Sequence, residues 1–314
     1  MNHFSPFGFI SGNQHWPALP FHQWKSTYMT LHLWTQIVGK IRLVQTPWTN
    51  HSWHTALYVT SRGLTTSPVP YGARTFQIDF DLIDHELCIS TSDGQSRMMI
   101  LSMRPVAQFY DEMFTKLDEL DLSLKINTMP NELIAPIPLD KDYEHAVYDA
   151  EHANRFFHAL VQADRVMKKF RSRFIGKCSP VHFFWGSFDL AVSRFSGRTA
   201  PEHPGGVPHL PDWVTREAYS HEVCSCGFWP GSDLRPQAVF YSYIYPEPSG
   251  YSAAKIDPDG AQYDSQLKEF ILPYDIVRES ASPDETLLTF LQSSYEVAAN
   301  LGDWNRAKLE KEFW

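Results

Sequence analysis

Two stretches of the chain place ionisable side chains among apolar ones. The first, His182 to Arg194, reads as a strand whose even-numbered side, Phe184, Phe188, Leu190 and Val192, is core. Its odd-numbered side carries Trp185, Ser187, Asp189, Ala191 and Ser193, so the Asp189 carboxylate stands in aromatic and aliphatic company. A charge so placed must be paired or its pKa must rise, which makes Asp189 a candidate for proton transfer or for holding a polar ligand. The second stretch, a strand over 217–228, holds His221 and Glu222. Neighbours on a strand face opposite sides, so these two cannot join one cluster by strand geometry alone. Tyr219, His221, Ser225 and Trp229 share a side, and Gly227 leaves room for a ligand or another backbone to approach. An Asp189–His221 pair would suit acid–base chemistry, because imidazole titrates near neutral pH and a carboxylate fixes its tautomer. Trp185 and Trp229 would wall such a pocket, with His182, Glu222 and Arg194 as further ligand contacts.

Other chemistries find less in the sequence. There are 14 histidines, yet His221-Glu222 is followed by Val, Cys and Ser, not by the spacing of a zinc helix, and Cys224-x-Cys226 has no second cysteine pair. His182, His203, His209 and His221 could converge with Asp189 or Glu222, but no spacing fixes that geometry, and no metal site is expected. Neither glycine-rich nucleotide cradle occurs, nor the Gly-x-Ser-x-Gly elbow, so no cofactor is expected. Tyr241, Tyr243 and Tyr245 recur at period two and read as packing. Tyr28, His32, Gln36 and Lys40 step by four along an otherwise apolar helix; a buried polar stripe needs partners, and an internal hydrogen-bond network, with Asp164 or strand residues, is the expectation.

The elements that must position these residues fall into an α+β order. Residues 1–20 are an extended lead-in. A helix over Phe21–Leu43 has Trp24, Tyr28, Leu31, Trp34, Val38 and Ile41 at three- and four-residue steps. A strand over Trp53–Ser61 follows, and Arg74–Leu82 alternates apolar and polar as a strand with one wet face. Strands at Leu87–Thr91 and Arg97–Ser102, a helix opened by Arg104-Pro105 and a short strand at Leu122–Ile126 complete an N-terminal half, 21–139. The C-terminal half, 140–314, has a helix over Ala150–Ile175, the three strands His182–Arg194, Glu217–Phe228 and Ala238–Tyr245, a strand at Phe270–Leu272 and a helix over Pro283–Leu301. The two halves are similar, each helix, antiparallel strands, helix. Trp53–Arg62 aligns without a gap on Trp185–Arg194, as an internal duplication would leave.

Composition bounds the class. Apolar residues make up 43% and charged residues 20%, a globular balance. The net charge of −9 disfavours nucleic acid, and the basic run Arg165–Arg173 reads as a solvated helix face. Four cysteines, no basic-then-apolar leader and no membrane-length apolar run point to a cytoplasmic protein with no membrane partner. Oligomeric state is open.

Several segments carry a resemblance: Trp16-Pro-Ala-Leu-Pro20, Thr30–Leu43, Tyr58–Thr65, Phe174–Asp189, and Ala218–Glu222 with Gly227–Gly231. Together they resemble a bacterial family catalogued only as a domain of unknown function, over about Trp16 to Trp304. The resemblance implies a cytoplasmic bacterial protein built as one unit and carries no catalytic role. The leading expectation is therefore a small-molecule binder, with acid–base catalysis as its enzymatic form. A non-catalytic interaction or scaffold protein is the rival, and a metal-dependent hydrolase the third reading.

Overall fold

A computed structural model describes residues 15–311. Of the lead-in, residues 1–14 lie outside the described residues; Trp16 and Leu19 are buried, and the Trp16 ring packs on Phe240 and Tyr274 at 6.3 and 6.0 Å.

Helix α1 (Phe21–Gln45) is the central rod, buried on nearly all sides from Thr30 to Arg42. Its apolar steps dock it on α2 (Val106–Asp118) and α3 (Ala150–Ser172). Trp34 is sandwiched between Phe109 and Tyr148, centroids 4.7 and 5.2 Å apart, and Trp24 meets Phe156 at 5.2 Å. Asp149 caps α3 by accepting the His152 amide, satisfying one of the donors that a helix start leaves free.

Two antiparallel sheets of six strands each define the halves. The first contains β1 (Tyr58–Val59), β2 (Gly63–Thr65), β3 (Val69–Tyr71), β4 (Arg74–Asp81), β5 (Glu86–Thr91) and β6 (Ser96–Ile100), in the order β1-β2-β4-β5-β6 with β3 also on β4. In β4, Phe76, Ile78 and Phe80 are buried while Thr75, Gln77 and Asp79 face outward, as their alternation requires. The second contains β7 (His182–Phe184), β8 (Asp189–Thr199), β9 (His221–Trp229), β10 (Val239–Tyr245), β11 (Gln262–Asp264) and β12 (Glu269–Pro273), in the order β11-β12-β10-β9-β8-β7. A short α4 (Asp212–Ala218) precedes β9; α5 (Tyr274–Glu279), α6 (Pro283–Leu301) and α7 (Arg306–Leu309) follow the sheet. The fold is thus α+β with two similar halves around one hydrophobic core. The first strands of the halves meet: Leu57 and Phe183 exchange both backbone hydrogen bonds, at 2.9 and 2.8 Å.

Four expectations need correction. Residues 122–126 form no strand; Leu122 and Leu124 simply bury their side chains. Of 53–61 only Tyr58–Val59 is strand, because a 3-10 turn at Asn50–Ser52 and further turns precede it. His182–Arg194 is a hairpin, not one strand: Trp185–Phe188 is a turn with Phe188 at φ +58°. Residues 217–220 belong to the end of α4 and a turn, so Tyr219 is not on a strand. The ten-residue match between the halves does not extend to local structure either: Arg62 lies in an exposed turn, Arg194 in the middle of β8.

Candidate functional site

The second sheet has two unlike faces. On one, Leu190, Val192, Arg194, Cys224, Cys226, Phe228 and Phe240 are buried, and α3 and α6 pack there. The other is built from odd-numbered residues in cross-strand rows, Ala191–Gly227–Tyr241 and Ser193–Ser225–Tyr243. Small side chains on β8 and β9 leave a hollow that Trp53, His54 and Thr55 of the first half, Asn131 and Glu132 of the largely irregular connector 119–149 between α2 and α3, and Trp213 and Val214 of α4 roof over. The cavity measures about 410 Å³, within the range of ~300–1,000 Å³ that small-molecule sites occupy.

Asp189 lies on its floor. The residue is buried, as its surroundings require, and burial raises its pKa above the usual carboxylate range. Its carboxyl accepts the Ser187 hydroxyl at 2.5 Å and the Tyr241 hydroxyl. Tyr241 reaches it from two strands away only because its ring lies across Gly227; a Cβ there would overlap the ring. Beside this pair, the Ser193 and Ser225 hydroxyls are hydrogen-bonded at 3.0 Å and those of Tyr219 and Tyr243 at 2.7 Å.

Two further glycines make room for wall groups in the same way. Gly39, in the middle of α1, underlies the indole of Trp185, whose Nε1 donates to the Thr55 carbonyl at 2.9 Å. Gly186 underlies the carboxyl of Glu132. Glu132 is held by its backbone, which is left-handed at φ +62° and donates its amide to the Pro208 carbonyl at 3.0 Å. The residue is half-buried; burial and the nearby charge of Asp189 raise its carboxyl to about 7. Among the described residues it accepts no hydrogen bond, and it borders both the sheet cavity and a second, larger one of about 540 Å³. Glu269, on β12, is likewise raised to about 8 by burial and then by Asp189.

The polar stripe of α1 finds its partners here. His32 Nε2–H donates to the Gly186 carbonyl at 2.9 Å, and burial lowers its pKa to about 4. Gln36 exchanges hydrogen bonds with the Asn131 backbone at 2.8 and 3.0 Å, and Lys40 donates to the Asn131 side chain. The expected internal network exists, joined to the connector and the β7–β8 turn; Asp164 instead takes Lys168 at 2.6 Å.

The structure separates the other candidate residues. His221 pairs with Thr199, the last residue of the strand that Asp189 begins, so the Asp189–His221 pair does not form. The His221 ring instead approaches His51 at 6.0 Å and Ser220 Oγ at 3.1 Å. Trp185 lines the sheet cavity, Trp229 the second one. Glu222 accepts Ser196 Oγ at 2.8 Å and Arg198 Nη2 at 2.7 Å in a surface ion pair. Arg194 is on the helix face, its guanidinium 3.4 Å from the Phe170 ring centroid and 4.3 Å from that of Tyr295. Glu132, Tyr219, Tyr241, Tyr243 and His51 were not among the candidates. Gly227 and the tyrosine stripe signalled the floor; the only sequence signal for Glu132 was the α1 stripe in want of partners.

His182 is buried among Trp53, Tyr58 and Phe184, and neither ring nitrogen has a partner among the described residues. Burial first, then the charges of Arg42 and Arg171, lower its pKa to about 3. The unfolded chain takes up this proton below about pH 6.5 and the folded one does not, so His182 costs stability as pH falls. His182→Phe is expected to match the parent at pH 7 and to lose about 2 kcal/mol less on going to pH 5, read from urea midpoints. Equal losses in both proteins would show that the ring is protonated in the fold.

Residues 16–311 match the model of a Family of unknown function (DUF5996). The chain belongs to that family. The match takes in both halves, the cavity and the connector that roofs it. No curated protein and no solved structure matches the chain. Among the described residues no helix is long and apolar enough to cross a membrane. Among them, too, no group of three or more His, Cys, Asp or Glu is placed to hold a metal ion, so the metal-dependent hydrolase expectation has no ligand set there.

Proposed function

We propose that the chain binds a small organic molecule in the cavity of the second sheet, with Asp189 and Tyr241 as its hydrogen-bonding floor. One observation carries this reading: a buried carboxyl, held by two hydroxyls and, among the described residues, by no cation, faces a hollow of about 410 Å³ with aromatic walls. A scaffold whose aromatics served only as core would have no reason to keep that carboxyl beside empty space, since an apolar residue there would cost less. Acid–base catalysis remains the second reading, favoured by Glu132, whose carboxyl titrates near neutral pH beside a second carboxyl.

A thermal-shift screen of small polar aromatics and metabolite-like compounds tests the first reading on the parent and on Asp189→Asn and Tyr241→Phe, with circular dichroism to verify folding. At a hundredfold excess over Kd a true ligand stabilises the parent by about 2.7 kcal/mol and should leave both folded variants nearly unshifted. Compounds that shift all three proteins alike would place binding elsewhere and defeat the proposal. Turnover lost in Glu132→Gln at unchanged affinity would select the catalytic form.

A further inference from the structure

The lining of the cavity is unbalanced in charge. Asp189 and Glu132 both border it, and the ionised form of the first disfavours ionisation of the second. Among the described residues no basic side chain offsets either carboxyl. The cations nearby are engaged at its margins. Lys40 is bonded to Asn131, Lys177 donates to His51 Nε2 at 2.6 Å, and Arg42 donates to the His54 carbonyl at 2.8 Å. Two of these lysines also show what the walls can do: Lys177 Nζ lies 5.4 Å from the Trp53 ring and 5.0 Å from Phe195, and Lys40 Nζ lies 5.6 Å from Trp185. All three rings line the cavity as well.

From this arrangement, and resting on the reading of the cavity as a ligand site, we infer that its occupant is an organic cation, a protonated amine or quaternary ammonium on an apolar body. Such a group would sit between Asp189 and Glu132 and against the faces of Trp53, Trp185 and Tyr241. It supplies the positive charge that the lining lacks among the described residues, and ring faces attract it most strongly where water is excluded. A neutral ligand would leave the two carboxyls to compete for protons, and an anion would add a third negative charge to them. The apolar body would take the remaining volume toward Trp213, which stands at the exposed rim on α4.

The test uses one shape in several charge states: 2-phenylethylamine, benzyltrimethylammonium, 2-phenylethanol and 3-phenylpropionate, titrated calorimetrically into the full chain at pH 8. The two cations should bind at least about tenfold more tightly than the alcohol, with the carboxylate weakest. In Glu132→Gln the preference should shrink by about tenfold while the alcohol's affinity stays unchanged. Tightest binding by the alcohol or the carboxylate would overturn the inference and leave the ligand site standing. So would a series that fails as a whole while the thermal-shift screen yields an uncharged or anionic ligand. If neither the series nor the screen finds any ligand, the reading of the cavity falls and the inference with it.

Discussion

Gly227→Ala is expected to destabilise the protein by about 3 kcal/mol and to abolish ligand binding, although the new methyl touches no ligand. The methyl would occupy the space of the Tyr241 ring, which lies across Gly227. Tyr243, on which the ring stacks with centroids 6.1 Å apart, closes one side, so the ring must swing into the cavity it lines. Forcing it aside withdraws its hydroxyl from Asp189 and leaves a buried carboxyl with Ser187 alone. Overpacking costs ~1–3 kcal/mol, and a buried group that loses its donor costs a further ~1–3 kcal/mol. The two effects share one cause, so they should not add to a second change that removes the ring. Gly227→Ala combined with Tyr241→Ala should therefore be more stable than the sum of the single changes by ~1–2 kcal/mol in a double-mutant cycle of urea unfolding. Strict additivity would mean that Tyr241 does not rest on Gly227.

Glu132→Gln should act in the opposite direction and only above acid pH. Its carboxyl is raised from 4.5 to about 7 in the fold. As pH rises, the unfolded chain ionises first, so the carboxyl's contribution to stability is fully present below about 4.5 and is lost as pH rises through about 7. At ~1.4 kcal/mol per pH unit the loss reaches about 3 kcal/mol. Glutamine keeps the shape and cannot ionise. The variant should thus match the parent at pH 4, exceed it by about 2 kcal/mol at pH 6 and by about 3 kcal/mol at pH 8, read from urea midpoints. A difference that does not change with pH would show that the Glu132 carboxyl is solvated. The same substitution weakens the proposed cation site, so the unliganded protein would gain stability where the liganded one loses affinity.

The sequence was most legible where one period ran unbroken. The three- and four-residue steps of Trp24, Tyr28, Leu31, Trp34, Val38 and Ile41 marked α1 to within two residues of its end, and the alternation of Phe76, Ile78 and Phe80 marked β4. Legibility failed where aromatic residues form turns. Trp185-Gly-Ser-Phe188 reads as strand because tryptophan and phenylalanine favour strands, yet Phe188 adopts a left-handed backbone and the chain reverses there. That turn shifted the site. Asp189 opens a strand, so parity along β8 still placed it correctly on the face of Ala191 and Ser193, but its partner could not be read from adjacency in β9. The donors that reach it, Ser187 and Tyr241, come from the turn and from two strands away. Glu132 was invisible for a different reason. It comes from an irregular connector whose position depends on Gln36 and Lys40 of α1, and no local period encodes such a contact.

The meeting of Leu57 with Phe183 also bears on self-association. A strand at the margin of a sheet offers unpaired amides and carbonyls to any passing chain. Because one antiparallel bridge joins Leu57, beside β1, to Phe183 of β7, each half shields part of the other's inner margin, which leaves β6, β11 and the three-residue β3 as the outer ones. β11 is only three residues long, and β6 carries Arg97, engaged with Glu119 at 2.7 Å. Shortness and charge are the features that keep such margins from recruiting copies of themselves, so the halves protect each other where they meet and need little protection where they do not.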